Sequence, residues 1–458
     1  MPANQGSQNP DVRQVAYQIL SRVEQGSYAD RLIDDFLRQS PPNDVRDRGL
    51  LTELVYGVLR LRGRLDFALG QVLRQPLSKL EPAARTLLRL GAYQLLELDR
   101  GPDHAAVDTT VTLARRVGMN RLTGLMNGCL RSLARQKDAM PWPTPQQPKA
   151  YLQHVCSLPS WLAGILLRQL PNHESRGLAE ALAEPAPLVL RVNFLKTDRP
   201  AYLEALRETG HDARACRYAP EGVRIDRRRE TPLPGDQQGW YQVQDEASML
   251  IAHLLQARPE EEILDACAAP GGKATHLAAL TQNRANILAL DKHPQRLALL
   301  ERGAARLGCQ GIATRTWDLT ETPAFLAPVS FDRILVDAPC SGLGVLRRNP
   351  ESRWLRQAAV IVALADLQTQ IIDTVAPLVR AGGHLLYSVC TFTSAETDAV
   401  VERFLAQHPE FQLENLAEVI PQAWADLVTP AGTLRTWPHH HDGMDAFFAA
   451  RFVKHGSG

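Results

Sequence analysis

The chain has 458 residues, 45% of them apolar and 22% charged, with a formal net charge of +1. This is the balance of an ordinary globular protein, and it excludes a disordered chain or a disulfide-stapled miniprotein. The seven cysteines are scattered without a C-x-x-C pair, so they read as reduced thiols. No stretch approaches 18 uninterrupted apolar residues and residues 1–10 are polar, which predicts a cytoplasmic protein with no membrane contact.

The near-neutral total hides an asymmetry: residues 1–143 carry +5, residues 144–240 carry +2, and the remainder carries −6. Arginine supplies 44 of the 51 basic residues. Arginine suits phosphate and base contacts, although a GC-rich genome gives the same bias. The basic front hints at nucleic acid.

Taken in order, residues 1–10 read as a flexible tail and residues 11–140 as an all-α domain. Val12, Val15, Ala16, Ile19, Leu20 and Val23 recur at spacings of three and four, one apolar helix face. Leu50 to Leu61, Ala83 to Leu98, Val107 to Val117 and Leu122 to Leu133 repeat the pattern, with breaks at Pro41-Pro42, Pro76, Gly101-Pro102 and Gly118. Residues 141–150 form a Pro-rich linker. A small α+β domain, 151–241, follows, with strands at Leu188–Val192 and Val223–Ile225 and a helix at Pro200–Thr209. From residue 242 to 458 strands and helices alternate: Ile263–Asp265, Ile287–Asp291, Thr314–Asp318, Ile334–Asp337 and His384–Cys390 are the strands. That alternation predicts a doubly wound, mostly parallel sheet, with ligands at the carboxyl ends of its strands.

The first of those strand ends reads D-A-C-A-A-P-G-G-K-A-T-H, Asp265 to His276. Gly271 and Gly272 let the backbone approach a ligand, and the next helix offers unpaired N–H groups. The stretch is neither G-x-G-x-x-G nor a P-loop, because Cys267 stands where a P-loop needs glycine and Ala274 where it needs Ser or Thr. Asp291 ends the second strand, 20 residues after Gly271, where a carboxylate accepts from ribose hydroxyls; a helix-capping Asp is the alternative. Asp318, behind Trp317, suits an adenine amino group.

The fourth strand ends Asp337-Ala338-Pro339-Cys340-Ser341-Gly342 and the fifth Tyr387-Ser388-Val389-Cys390-Thr391. If the first, fourth and fifth strands are neighbours, Cys267, Cys340 and Cys390 converge on one edge of a cleft. Zinc ligation is disfavoured, since each cysteine sits on a separate strand end with no short-spaced partner; no metal is expected. Two thiols and a carboxylate beside a nucleoside-like cofactor suggest attack on carbon 6 of a pyrimidine, which makes carbon 5 nucleophilic toward a methyl group. Spacing does not decide which cysteine attacks.

These stretches, with Gln244-Asp245-Glu246-Ala247-Ser248, resemble the S-adenosylmethionine-dependent RNA cytosine-5 methyltransferases. Asp47-Arg48, Leu54 to Arg60, Gly91 to Leu96, Ala105 to Val107 and Gly128 to Arg131 resemble a NusB-type RNA-binding domain. Arg46, Arg48, Arg60, Arg62, Arg64, Arg115, Arg116, Arg121 and Arg131 would then supply phosphate contacts, the alternative for each being a solvated face. Nearly all of 11–453 is similar to the Sun/Fmu-type enzymes of bacterial 16S rRNA.

The resemblance implies a NusB-like front, an RRM-like middle domain and a Rossmann-like methyltransferase domain. It implies Cys390 as nucleophile, Cys340 as the residue releasing the product, and Asp337 at the cytosine edge. Cys267, Ala268, Ala269, Pro270, Gly271, Gly272, Lys273, Asp291, Asp318 and Asp337 would hold S-adenosylmethionine. Arg347, Arg348 and Arg353 would reach 16S rRNA, and the enzyme would work as a monomer. Lys273 either anchors the turn or approaches the reacting base. Val389 departs from the Thr common in the family before the nucleophile, and His439-His440-His441 reads as a loop. The same chemistry on tRNA, or a non-catalytic RNA-binding assembly factor, are the competing readings.

Overall fold

The structure is a computed structural model that describes residues 11–40, 44–98, 101–229, 231–326 and 330–456. The expected tail 1–10 and the Pro41-Pro42 break lie outside those residues. The chain divides into two compact units: residues 1–185 with 346–357, and residues 186–345 with 358–458.

The first unit is helical. Asp11 caps Val12–Val23 by accepting from the Arg13 N–H, and all six apolar positions on the predicted stripe are buried. Asp44 caps Val45–Arg60 in the same way. Pro82 opens Pro82–Leu96, where its missing N–H costs nothing. That helix is buried along most of its length, from Ala84 to Leu95, so it is the central one. Asp103–Arg116 and Thr123–Gln136 complete the expected set. Ala29–Gln39 and Arg62–Val72 are further helices that the periodicity did not single out. The unit runs past the Pro-rich stretch through Pro148–His154, Ser160–Gln169 and Asn172–Ala183.

Two expectations about arginines change here. Arg353 is fully buried within the first unit, and its guanidinium donates to the carbonyls of Arg60, Ser157, Leu182 and Leu346. Five N–H donors in a fixed fork suit such a carbonyl cluster; a side chain so committed does not reach RNA. Arg347 is also buried, and Arg348 is half-buried. In the helical front, Arg64 pairs with Glu97, Arg116 with Asp11, and Arg121 with both oxygens of Glu81. Arg60 is itself buried.

The second unit holds two sheets. The smaller has the order β2-β3-β1-β4, from β1 (Leu188–Val192), β2 (Asp212–Ala215), β3 (Gly222–Arg227) and β4 (Tyr241–Val243). β1 runs antiparallel to both β3 and β4. The helix Arg199–Glu208, capped by Asp198, buries Tyr202 and Leu206 against it. β2 escaped sequence reading because it is mostly exposed and shows no apolar alternation.

The larger sheet contains β5 (Glu262–Asp265), β6 (Asn286–Asp291), β7 (Ile312–Thr316), β8 (Phe331–Asp337), β9 (Val379–Val389), β10 (Phe411–Leu413), β11 (Leu434–Arg435) and β12 (Phe448–Lys454). Its order is β10-β12-β9-β8-β5-β6-β7, with β11 against β12. β5 to β9 pair in parallel and β10 to β12 are antiparallel additions. The expected all-α front, small α+β middle and doubly wound, mostly parallel sheet are therefore all present. The chain leaves β5 toward β6 and β7, then returns to β8 on the other side of β5. That reversal opens a crevice at the carboxyl ends of β5 and β8.

Candidate active site

Three neighbouring strands end at this crevice in aspartate or next to cysteine. β5 ends in Asp265 and leads to Cys267; β8 ends in Asp337, three residues before Cys340; β9 ends in Val389, one before Cys390. Because β8 and β9 pair with Asp337 opposite Ser388, the two following turns lie side by side. The Cys340 and Cys390 sulfurs are 3.3 Å apart. The contact to Cys390, with burial, holds the Cys340 thiol well above its ordinary range. Cys267 is pushed up as well, by burial.

Asp337 joins the turns. Its Oδ1 accepts from Ser388 Oγ at 2.9 Å and its Oδ2 from Lys273 Nζ at 2.5 Å. Lys273 also lies over the Phe447 ring, 5.4 Å from its centroid. Val389 is fully buried and pairs with Phe448, so its side chain fills the core. The loop after Cys340 is pinned to Cys390: Gly344 N–H donates to the Cys390 carbonyl, and Ala446 N–H donates to the Gly344 carbonyl. A Cβ on Gly344 would stand 1.9 Å from the Ala446 oxygen.

The glycine turn is shaped by its own backbone and by the smaller sheet. Gly271 has φ +103°, and a Cβ there would meet Leu300 at 2.6 Å. Arg191 of β1 is buried and donates to the Gly272 carbonyl, to Thr275 Oγ1 at 2.9 Å and to Gln244 Oε1 at 2.6 Å. Arg296 holds the Ala269 carbonyl at 2.6 Å. Behind the turn, buried Glu221 faces His253 Nε2 at 3.0 Å and His276 Nε2 at 2.9 Å. Burial holds His276 down to about 4.

Asp265 is buried, and burial, with Asp337 next, raises its pKa to about 7. Both its oxygens lack a hydrogen-bond partner of ordinary geometry among the described residues. Asp291 is buried at the end of β6; its Oδ1 accepts from the His293 N–H at 2.8 Å, but the N-cap of the next helix, Pro294–Leu307, is His293, so Asp291 is not its cap. Its Oδ2 lies 3.7 Å from Arg296. Asp318 is exposed beyond β7 and accepts from the N–H and hydroxyl of Thr320. Buried carboxylates at the ends of β5 and β6, and a glycine turn opening a helix that has no side-chain cap, fit a ligand with hydroxyls, a cationic centre and a carboxylate.

Sequence reading brought Cys340, Cys390, Asp337 and Lys273 to one place. It passed over Arg191, Asp265, Ser341, Gly344, Ser388 and Glu396. Ser341 and Ser388 stood inside the motifs and Asp265 opened one, whereas Arg191 and Glu396 carried no local signal. His439 to His441 lie in a turn, where His441 Nδ1 accepts from the Trp437 N–H at 2.9 Å.

Comparison with known proteins matches residues 252–453 to the 16S rRNA methyltransferase RsmB/F family, 10–135 to the NusB family, and 158–231 to a ferredoxin-like domain of RsmF/B-like methyltransferases. The chain is 39% identical to a probable ribosomal RNA small subunit methyltransferase B of Synechocystis sp. over 96% of this chain and 99% of that one. It is 36% identical to the ribosomal RNA small subunit methyltransferase B of Pseudomonas putida, over 90% of this chain and 91% of that one. Among solved structures, that of PH0851 has a TM-score of 0.81 and 24% identity, covering 98% of this chain and all of the other.

Proposed function

Because the chain belongs to the ribosomal RNA small subunit methyltransferase B family, we propose that it methylates carbon 5 of a cytidine in 16S rRNA, using S-adenosylmethionine and a covalent cysteine intermediate. The observation that carries this reading is the pair of sulfurs 3.3 Å apart beside the Lys273–Asp337 pair.

S-adenosylmethionine supplies an electrophilic methyl group when bound. Cys267 to Lys273 would hold it, with Asp291 at the ribose hydroxyls and Asp318 near the adenine edge. Asp265, a buried carboxyl at the end of β5, suits the polar end of that ligand.

Cys390, as thiolate, adds to carbon 6 of the cytosine. The new S–C bond moves the ring electrons toward carbon 5, and the Lys273–Asp337 pair brings a proton to ring nitrogen 3. Asp337 is steadied for that task by Ser388. After the attack the Cys340 thiol gives its proton to solvent; once carbon 5 has gained its methyl group, the Cys340 thiolate takes the carbon-5 proton, and ring nitrogen 3 returns its proton to the Lys273–Asp337 pair. The electrons return to the ring and the Cys390–carbon 6 bond breaks. The 3.3 Å between the two sulfurs supports this division of labour, since it lets both reach one pyrimidine ring.

The test is bisulfite sequencing of ribosomal RNA from cells with and without the protein. One 16S cytidine that is protected only when the protein is present is expected. Protection confined to tRNA, or no protected cytidine at all, would contradict the substrate or the activity respectively.

A further inference from the structure

Five donors converge on one buried carboxylate next to the two cysteine turns. Glu396 is fully buried in the short helical turn Ser394–Glu396 that follows Cys390. Its Oε1 accepts from the Ser341 N–H at 2.7 Å and from Gln368 Nε2 at 3.1 Å. Its Oε2 accepts from Ser341 Oγ at 2.6 Å, Thr393 Oγ1 at 2.8 Å and Thr391 Oγ1 at 3.3 Å. Ser341 directly follows Cys340 and Thr391 directly follows Cys390, and their hydroxyls are themselves 2.8 Å apart. Behind the carboxylate, Tyr387 OH donates to the Glu396 carbonyl at 2.7 Å and lies 3.0 Å from Gln368 Oε1, while Gln368 Nε2 also donates to the Pro339 carbonyl at 2.9 Å.

A buried carboxylate is expensive unless its lone pairs are filled. Here they are filled by groups from both turns and by Gln368 of the helix Ala359–Val375. We propose that Glu396 is a positioning residue that ties the Cys340 and Cys390 turns into one rigid unit and so sets the distance between the two sulfurs. Glu396 acts through Ser341 and Thr391, the residues that directly follow the two cysteines. In the reaction the two sulfurs work in sequence on adjacent ring atoms, carbon 6 and carbon 5. A loosened turn would therefore slow attack and release together, without loosening the glycine turn that lies on β5. This rests on the cysteine chemistry proposed above.

Chemistry separates position from charge. A glutamine at 396 keeps an oxygen for the Ser341 and Gln368 N–H donors. Its amide N–H groups face hydroxyls, which accept as readily as they donate. Glu396→Gln should thus keep the turns together, whereas Glu396→Ala leaves the Ser341 N–H and Gln368 without that acceptor.

The experiment measures kcat and KM of the full chain with unmodified 16S rRNA transcribed in vitro and tritiated S-adenosylmethionine, beside Cys390→Ala as control. Expected are a kcat at least 100-fold lower for Glu396→Ala, S-adenosylmethionine affinity within threefold of the parent, and at least a tenth of parental kcat for Glu396→Gln. A folded Glu396→Ala within threefold of parental kcat, or a Gln variant as slow as the Ala variant, overturns the proposal. If Glu396→Ala does not fold, Thr393→Val replaces it. A tenfold fall in kcat at unchanged cofactor affinity supports the role, and parental kcat overturns it. An active Cys390→Ala would instead bring down the underlying covalent reading, whatever the Glu396 variants do.

Discussion

Asp337 meets Ser388 through one carboxylate oxygen and Lys273 through the other, so its role depends on charge as well as shape. Asp337→Asn keeps the shape and removes the charge. A general acid–base contribution is worth about 10²–10⁴-fold, so kcat for methyl transfer should fall by at least 10²-fold while the protein stays folded; unchanged turnover would remove Asp337 from the chemistry. His276 makes a separate, pH-dependent prediction. Its folded pKa of about 4 lies below the ordinary histidine value of about 6.5. Between those values the unfolded chain binds the extra proton. The stabilisation is therefore present above pH ~6.5 and is lost as pH falls toward about 4. Asp265, raised to about 7, works in the opposite sense, losing its contribution as pH rises through that value. Comparison with His276→Gln isolates the histidine. On going from pH 7.5 to pH 5, the parent should lose on the order of 2 kcal/mol more than the variant in urea unfolding. Equal losses would contradict the burial of a neutral imidazole. At this scale the cysteines and Asp337 were legible because chemistry needs those side chains at strand ends. Arg353 was misread because a run of arginines looks the same in sequence whether it faces solvent or a cage of carbonyls.

At the scale of elements, the site depends on two turns held by groups distant in sequence. Gly344 lets its loop run between the Cys390 and Ala446 carbonyls, where a methyl group has no room. Gly344→Ala should lower activity at least tenfold and destabilise the second unit by about 1–3 kcal/mol, the usual cost of overpacking; parental activity would show that the loop yields freely. Arg191 reaches from β1 to the glycine turn, so Arg191→Met should weaken S-adenosylmethionine binding by at least tenfold, given that hydrogen bonds from a charged donor contribute about 1.5–3 kcal/mol. Isothermal titration checks this, and parental affinity would leave Arg191 a purely structural residue. Strands β5, β6, β8 and β9 were readable from their apolar runs ending in aspartate or cysteine. Their adjacency was not: that β8 and β9 are neighbours is fixed by ladder pairing, which no local pattern encodes. Glu396 was invisible for the same reason, since its partners lie on three different segments.

Across the whole molecule, the helical front was legible from its apolar spacing and the doubly wound domain from alternating strands and helices, whereas the small sheet was legible only at β1 and β3. Less legible was that residues 346–357, within the stretch matched to the methyltransferase family, belong to the first compact unit. Arg353 ties this segment to the unit through the carbonyls of Arg60, Ser157 and Leu182, alongside Trp354, which donates to the Leu59 carbonyl, and Glu351, which accepts from the Ala29 N–H. Arg353→Met should lower the unfolding temperature yet leave the salt dependence of 16S rRNA binding unchanged, because a buried guanidinium neutralises no phosphate. A shallower salt slope would restore it as an RNA contact. The central claim is that two cysteines act in turn on one cytosine. Cys340→Ala incubated with unmodified 16S rRNA and S-adenosylmethionine tests it on a denaturing gel. Expected is a denaturant-resistant protein–RNA adduct that disappears in the Cys340→Ala/Cys390→Ala double variant. Free RNA with full methylation by Cys340→Ala, or an adduct that survives in the double variant, would contradict it.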